Sequence, residues 1–188
     1  GLSFTLSELA ESAGVSSGVG KGLVKTGAVL EVESPRDLPF PPLDPELSGK
    51  GLSDDQARAA EELSQSLSSE TYGTTLLKGV TGSGKTEVYL EAIAATLKAD
   101  KQALVLLPEI ALTSEFLDRV EARFGARPAE WHSGITLTER RRTWKMVSQG
   151  RAELVVGARS ALFLPFRRLG LIVVDEEHDN SYKQEDGV

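Results

Sequence analysis

Four side chains in two short stretches have the chemistry to cleave a phosphoanhydride. Lys85 and Thr86 close the run Gly79-Val80-Thr81-Gly82-Ser83-Gly84-Lys85-Thr86. Asp175 and Glu176 follow the apolar run Leu171-Ile172-Val173-Val174, some ninety residues further on. The first run fits G-x-x-x-x-G-K-[ST]: glycines turn backbone N–H groups onto phosphate oxygens, the lysine neutralises charge, and the hydroxyl reaches a magnesium ion. A helix opening near Lys85 adds its N-terminal partial charge. In the second run Asp175 is expected to hold the metal, directly or through water, while Glu176 orients or deprotonates the attacking water. Either stretch alone is a modest hint. In this order they describe nucleoside triphosphate hydrolysis.

Two neighbours carry alternatives. His178, closing Asp175-Glu176-Glu177-His178, is read either as a relay between nucleotide state and nearby loops or as a structural hydrogen-bonding group. Gln56 sits 29 residues before Lys85. Its amide has the donor and acceptor to read adenine N6 and N7, but Ser53-x-x-Gln56 is equally a helix capping box.

Positioning these groups requires alternating strands and helices. Helices are expected from Ser53 to about Ser69, Thr86 to Ala99, Ser114 to Phe124 and Thr136 to Gln149. In the second, Val88, Ala92, Ile93 and Leu97 share a face; the last has a capping box from Thr136 to Glu139 and a terminal Gly150. Thr75 to Lys78 reads as a buried strand entering the glycine loop. Ala103 to Leu107 is a second, stopped by Pro108; Pro128 to His132 is a short one; Leu154 to Val156 and Leu171 to Val174 complete the set. Near-continuous apolar strands between helices imply a parallel sheet covered on both faces. Ligands of such sheets bind at the carboxyl ends of the strands, where the motifs fall.

The amino-terminal third is different. Thr5 is a candidate helix cap before Leu6 to Glu11, and Gly14 a stop; Val15 to Lys25 is a second helix weakened by Gly18, Gly20 and Gly22. Ala28 to Glu33 alternates as a strand does. Helix, turn, helix, strand over residues 1–33 reads as the tail of a winged-helix module, too small to bury a core without a piece upstream. Residues 34–51 hold five prolines and two glycines, the composition of a linker and domain boundary.

Composition narrows the class. The chain has 188 residues, 40% hydrophobic and 26% charged, ordinary for a globular protein. It contains no apolar run of membrane-spanning length and no signal peptide, so a cytoplasmic location without membrane partners is expected. No cysteine is present, which excludes disulfides and thiolate zinc sites within it. A net charge of −7 argues against a dominant basic nucleic-acid surface. Arg140-Arg141-Arg142 with Lys145, and Arg167-Arg168, read as solvated faces.

The ordered series Gln56, residues 79–86, Leu-Leu-Pro-Glu-Ile-Ala-Leu-Thr (106–113), Trp131-His132-Ser133, Gly-Ala-Arg-Ser-Ala-Leu-Phe (157–163) and Asp-Glu-Glu-His (175–178) is similar to the first motor lobe of a superfamily 2 helicase. The wording of 106–113, with Asp-Glu-Glu-His-Asp-x-Ser-Tyr-Lys-Gln at 175–184, resembles the PriA family of primosomal replication-restart helicases, from about Leu52 to Gln184. The resemblance implies an α/β, RecA-like P-loop NTPase lobe over 52–188, with ATP and Mg²⁺ as ligands. It implies 3′→5′ unwinding at branched forks, forked and single-stranded DNA, primosome and single-strand-binding proteins as partners, and a nucleoid-associated bacterial setting. Pro108, Glu109, His132, Ser133, Arg159 and Ser160 would line the DNA strand, with Tyr182 and Lys183 opening an aromatic-rich loop. From the residues alone, Pro108 is equally a strand terminator, Arg159 a salt-bridge partner, Trp131 a core residue and Tyr182 an ordinary surface tyrosine.

The family's second lobe, with its arginine finger, and its zinc-binding cysteines would lie downstream of Val188. A fragment this short is expected to bind ATP weakly and turn it over very slowly. Competing readings are another superfamily 2 translocase, or a non-catalytic nucleotide-gated module binding DNA or protein. Intact Lys85, Thr86, Asp175 and Glu176 weigh against the last.

Overall fold

A computed structural model describes residues 6–29, 38–69, 71–80 and 82–182. Thr5, Thr81, Lys183 and Gln184 lie outside them. The chain divides into two compact units, 1–37 and 38–188.

In the first unit α1 (Leu6–Ser12) packs on α2 (Ser17–Lys25). The strand expected over 28–33 begins with bends at Ala28 and Val29, and its other residues fall outside the described set.

The second unit holds α3 (Asp54–Ser68), α4 (Lys85–Lys98), β1 (Gln102–Leu106), α5 (Ser114–Phe124), β2 (Ala129–Trp131), α6 (Leu137–Ser148), β3 (Leu154–Gly157) and β4 (Leu169–Val174). The four strands are parallel, in the order β2-β3-β1-β4. Ala103, Val105 and Leu107 pack with Ile93 and Phe124 of α4 and α5; Leu104 and Leu106 pack with Met146 and Val147 of α6. Strand alternation thus sends successive side chains to opposite covered faces. This is the parallel sheet read from the apolar strands and the RecA-like α/β fold that the resemblance implies.

Local chemistry sets the helix ends. Ser53 and Gln56 form the capping box of α3, and Thr136 and Glu139 that of α6. The Glu139 carboxyl is held below its usual range, first by the Thr136 N–H and then by the Thr136 hydroxyl. The Thr113 side chain caps α5, and Gly125 ends it at a φ of 76°.

Three expectations are corrected. Residues 75–78 form no strand: they are mostly exposed and have no ladder partner among the described residues. Apolar character is not enough for a strand; neighbouring backbone must also pair with it. Second, β4 pairs only with β1 among the described residues, so it is an edge strand, with Ile172 and Val174 exposed rather than buried. Third, α4 buries Tyr89, Leu90 and Ala94 in addition to the predicted face, because these side chains join the core shared with β1 and α5.

The proline-rich stretch also departs from a free linker over 38–50. Arg142 donates to the carbonyls of Leu38 (2.6 Å) and Pro39 (3.0 Å) and lies over the Phe40 ring. The Asp44 N–H donates to Phe124 O at 2.8 Å, and buried Arg123 joins Leu47 O to the Glu91 carboxylate. Phe40 packs with one core and Leu43 with the other. This segment is a strap stiffened by its prolines: the Leu43 N–H donates to Glu153 Oε2 ahead of β3, and Lys50 pairs with Glu87 in the first turn of α4 at 3.4 Å.

Gln102 is the buried polar keystone. Its amide donates to Val147 O (3.2 Å) and Ala152 O (2.7 Å) and accepts the N–H groups of Arg167 (2.9 Å) and Arg168 (3.0 Å). Gln102→Leu removes all four bonds and is expected to cost about 2–4 kcal/mol. A urea midpoint within error of wild type would contradict this.

Candidate nucleotide-binding site

Because all four strands run the same way, the segments after them leave at one edge. Across the sheet these are His132-Ser133 after β2, Arg159-Ser160 after β3, Pro108-Glu109 after β1 and Asp175-Glu176 after β4. Asp175 is anchored by its own backbone: its N–H donates to Leu106 O at 3.0 Å, extending the β1–β4 ladder by one residue.

The glycine loop enters α4 through two left-handed residues, Gly82 (φ 79°) and Gly84 (φ 80°). A Cβ at Gly84 would also run into the Gln56 amide. Both positions therefore require glycine. The Ser83 N–H donates to Val80 O at 3.1 Å, and the Lys85 ammonium donates to Gly79 O at 2.8 Å and Val80 O at 3.3 Å. Gln56 ties the start of α3 to this loop. Its Nε2 donates to Ser83 O at 2.8 Å while its Oε1 accepts the Ser53 N–H. Here the amide serves cap and loop together. The Ser83 hydroxyl is buried with no partner among the described residues.

The decisive contact lies between loop and strand. Tyr89 comes one turn after Thr86 on α4, and its hydroxyl donates to Asp175 Oδ2 at 2.9 Å. Thr86 lies on the same face of α4, three residues before Tyr89. Asp175 is thereby joined to the helix that carries Thr86, 89 residues away in sequence. Burial, and then the Asp175 carboxylate, hold the Tyr89 phenol far above its ordinary range. Tyr89 stays protonated and remains a donor to Asp175.

Glu176 turns the chain sharply after β4 in a left-handed conformation, φ 50°. For a residue with a Cβ this costs of order 1–3 kcal/mol and is characteristic of functional turns. Its N–H donates to Asp175 Oδ1 at 3.0 Å, and its exposed carboxylate lies 3.5 Å from His178 Nε2. Glu177 and His178 are exposed. Tyr182 is no idle surface group: its hydroxyl donates to Asp175 O at 2.9 Å. Burial, followed by Asp175, Asp179 and Glu176, raises its phenol well above the usual range.

The other loops are tied together in the same way. Glu109 Oε1 accepts the Ser133 N–H at 3.3 Å, joining the segments after β1 and β2. His132 Nδ1 accepts the Gly134 N–H, so its Nε2–H faces Glu130 Oε2 at 3.2 Å. Arg140 donates to His132 O and stacks on Trp131, which is half-buried against the core. Pro108 is buried; Arg159 and Ser160 are exposed, and Arg159 has no ion pair among the described residues.

Inward-turned glycines, a helix N-terminus, an ammonium, and an adjacent hydroxyl and carboxylate form a donor set for a triphosphate with magnesium. Magnesium takes hard oxygen ligands and keeps waters and phosphate oxygens around few protein groups. The residues fit. Sequence reasoning did not single out Tyr89 or Gln102. Tyr89 looked like one more helix residue, and nothing in its neighbours signals a strand 86 residues away.

The chain belongs to the DEAD/DEAH box helicase family, whose sequence model matches residues 53–188. Within that family it is similar to proteins named replication restart protein PriA. The one from Bacillus subtilis is 40% identical over 190 residues, covering 99% of this chain and 23% of the relative. Those from Rickettsia felis (47% over 137 residues, 73% of this chain and 20% of the relative) and Chlamydia pneumoniae (41% over 186 residues, 95% and 24%) agree. The resemblance to the PriA family read from the motifs is borne out. The chain spans about a fifth to a quarter of the length of these relatives.

Proposed function

We propose that this chain is the ATP-binding lobe of a DNA helicase that works 3′→5′ at branched forks in replication restart. The observation that carries the reading is the 2.9 Å bond from the Tyr89 hydroxyl of α4 to Asp175 Oδ2. It supports the reading by tying the expected metal carboxylate to the helix that opens with Lys85 and Thr86. Family membership supports the helicase class, and the names of the relatives support the restart setting.

In this reading Lys85 leaves the Gly79 and Val80 carbonyls for the β- and γ-phosphates of ATP, whose oxygens also meet the N–H groups of 79–86. Thr86 and Asp175 hold Mg²⁺, and bound magnesium supplies charge neutralisation on the triphosphate. Glu176 orients a water for attack on the γ-phosphorus and accepts its proton as ADP leaves. Gln56 contributes to adenine recognition when nucleotide binding releases its amide from the loop. A second lobe of the longer protein supplies an arginine worth about 10³–10⁵ in rate, so residues 1–188 alone turn over slowly. Residues 52–188 form the first lobe, 1–33 the end of a winged-helix module and 34–51 the connection.

Pro108, Glu109, His132, Ser133, Arg159, Ser160, Tyr182 and Lys183 are proposed to follow single-stranded DNA by backbone and hydroxyl contacts, which position without reading sequence. Primosome and single-strand-binding proteins are the proposed partners, and the bacterial cytoplasm, at the nucleoid, the proposed setting. Zinc belongs to cysteines elsewhere in the longer protein. No helix among the described residues is long and apolar enough to cross a membrane.

The test is ATP hydrolysis and strand separation by the full-length protein on forks with a single 3′ or 5′ arm. DNA-stimulated turnover with unwinding from the 3′ arm is expected. Turnover indifferent to DNA, or unwinding from the 5′ arm, would overturn the assignment.

A further inference from the structure

We propose that Tyr89 is a positioning residue for the metal site, holding the Asp175 carboxylate toward Thr86 so that the pair binds Mg²⁺ as a preformed unit. The inference rests on the nucleotide-site reading and extends it to a residue outside both motifs. Tyr89 is 5% exposed, and a buried phenol needs a hydrogen-bond partner. Its partner is the carboxylate expected to hold the metal: it donates to Asp175 Oδ2 at 2.9 Å, one turn along α4 from Thr86.

The rest of the Asp175 environment explains why such a residue is needed. The Asp175 N–H and C=O are fixed by Leu106 O and the Tyr182 hydroxyl, so the backbone is anchored. The side chain is a separate matter. Among the described residues Oδ1 accepts the N–H of the neighbouring Glu176, whereas Oδ2 is held by a rigid ring packed between α4 and the sheet. Residues three apart on a helix share a face, so α4 presents Thr86 and Tyr89 together toward the end of β4. Each carboxylate oxygen has two lone pairs, and the bond from Tyr89 leaves acceptor capacity on both. Without the phenol proton, Oδ2 loses its partner and the carboxylate turns about its terminal torsion.

Partners that orient metal ligands are typically worth about 10–100-fold in metal affinity. The readout is equilibrium binding of a fluorescent non-hydrolysable ATP analogue to the full-length protein during Mg²⁺ titration. Tyr89→Phe is expected to raise the Mg²⁺ midpoint about 10–100-fold while leaving Mg²⁺-free nucleotide binding near wild type. Asp175→Asn shifts the midpoint too, and adding Tyr89→Phe to it shifts it no further, because no carboxylate remains to position. Val88→Ala, a packing defect at the adjacent buried position, is expected to leave the midpoint in place. An unshifted midpoint in Tyr89→Phe, a full additional shift on the Asp175→Asn background, or an equal shift in Val88→Ala would each overturn the inference. Lys85→Ala in the same assay separates the two layers. Undiminished nucleotide binding there would remove the site itself, whatever Tyr89 does.

Discussion

Lys85→Ala in the full-length protein is expected to abolish ATP-driven unwinding while leaving fork binding nearly intact. Lys85 opens α4, and its ammonium lies on the carbonyls of Gly79 and Val80. Those bonds are solvent-exposed and contribute little to folding, so loss of the side chain should not unfold the lobe. What is lost is the mobile positive charge that meets the β- and γ-phosphates as negative charge shifts in the transition state. Removing one such preorganised donor typically costs 10²–10³ in turnover, so hydrolysis should fall by at least about that much. Most of the proposed DNA segments follow β1, β2 and β3, with Tyr182 and Lys183 after β4, whereas Lys85 opens α4. Fork binding lost together with hydrolysis would show that the two roles are assigned to the wrong residues.

Glu176→Gln should do something different: retain ATP binding and stall the bound state. The substitution keeps the side-chain length and leaves the left-handed turn at φ 50° no more strained than before. It removes the proton acceptor for the attacking water, a contribution of about 10²–10⁴ in rate. ATP should then persist on the protein after mixing, and single-turnover hydrolysis should fall within that range. Undiminished hydrolysis would take Glu176 out of the mechanism. His178, 3.5 Å from that carboxylate, then becomes the group to examine.

The sequence was most legible where local chemistry decides. Capping boxes at Ser53–Gln56 and Thr136–Glu139 and the terminal Gly150 place three helix ends from a few residues each. Apolar runs with no polar alternation announce a parallel sheet covered on both sides, and the strands appear there. Legibility fails where the answer depends on what lies opposite. Thr75 to Lys78 has the composition of a strand, yet pairing is a property of two segments, and among the described residues no partner meets it. Five prolines say that residues 34–51 are extended and stiff; only the Arg142 and Arg123 bonds reveal that 38–50 is strapped to the lobe. Tyr89 belongs to the same class. Its helix position is plain from sequence, but its work is done against a carboxylate that only the fold brings near.

Central to all of this is that Lys85, Thr86 and Asp175 serve one metal-bound triphosphate. The direct measurement is a crystal structure of the full-length protein with a non-hydrolysable ATP analogue and Mn²⁺, using the anomalous signal to locate the ion. The account predicts one Mn²⁺ peak bound to the Thr86 hydroxyl and reached by Asp175, directly or through water, with the triphosphate cradled by 79–86 and touched by Lys85. A metal peak remote from Thr86 and Asp175, or a nucleotide seated elsewhere, would contradict it.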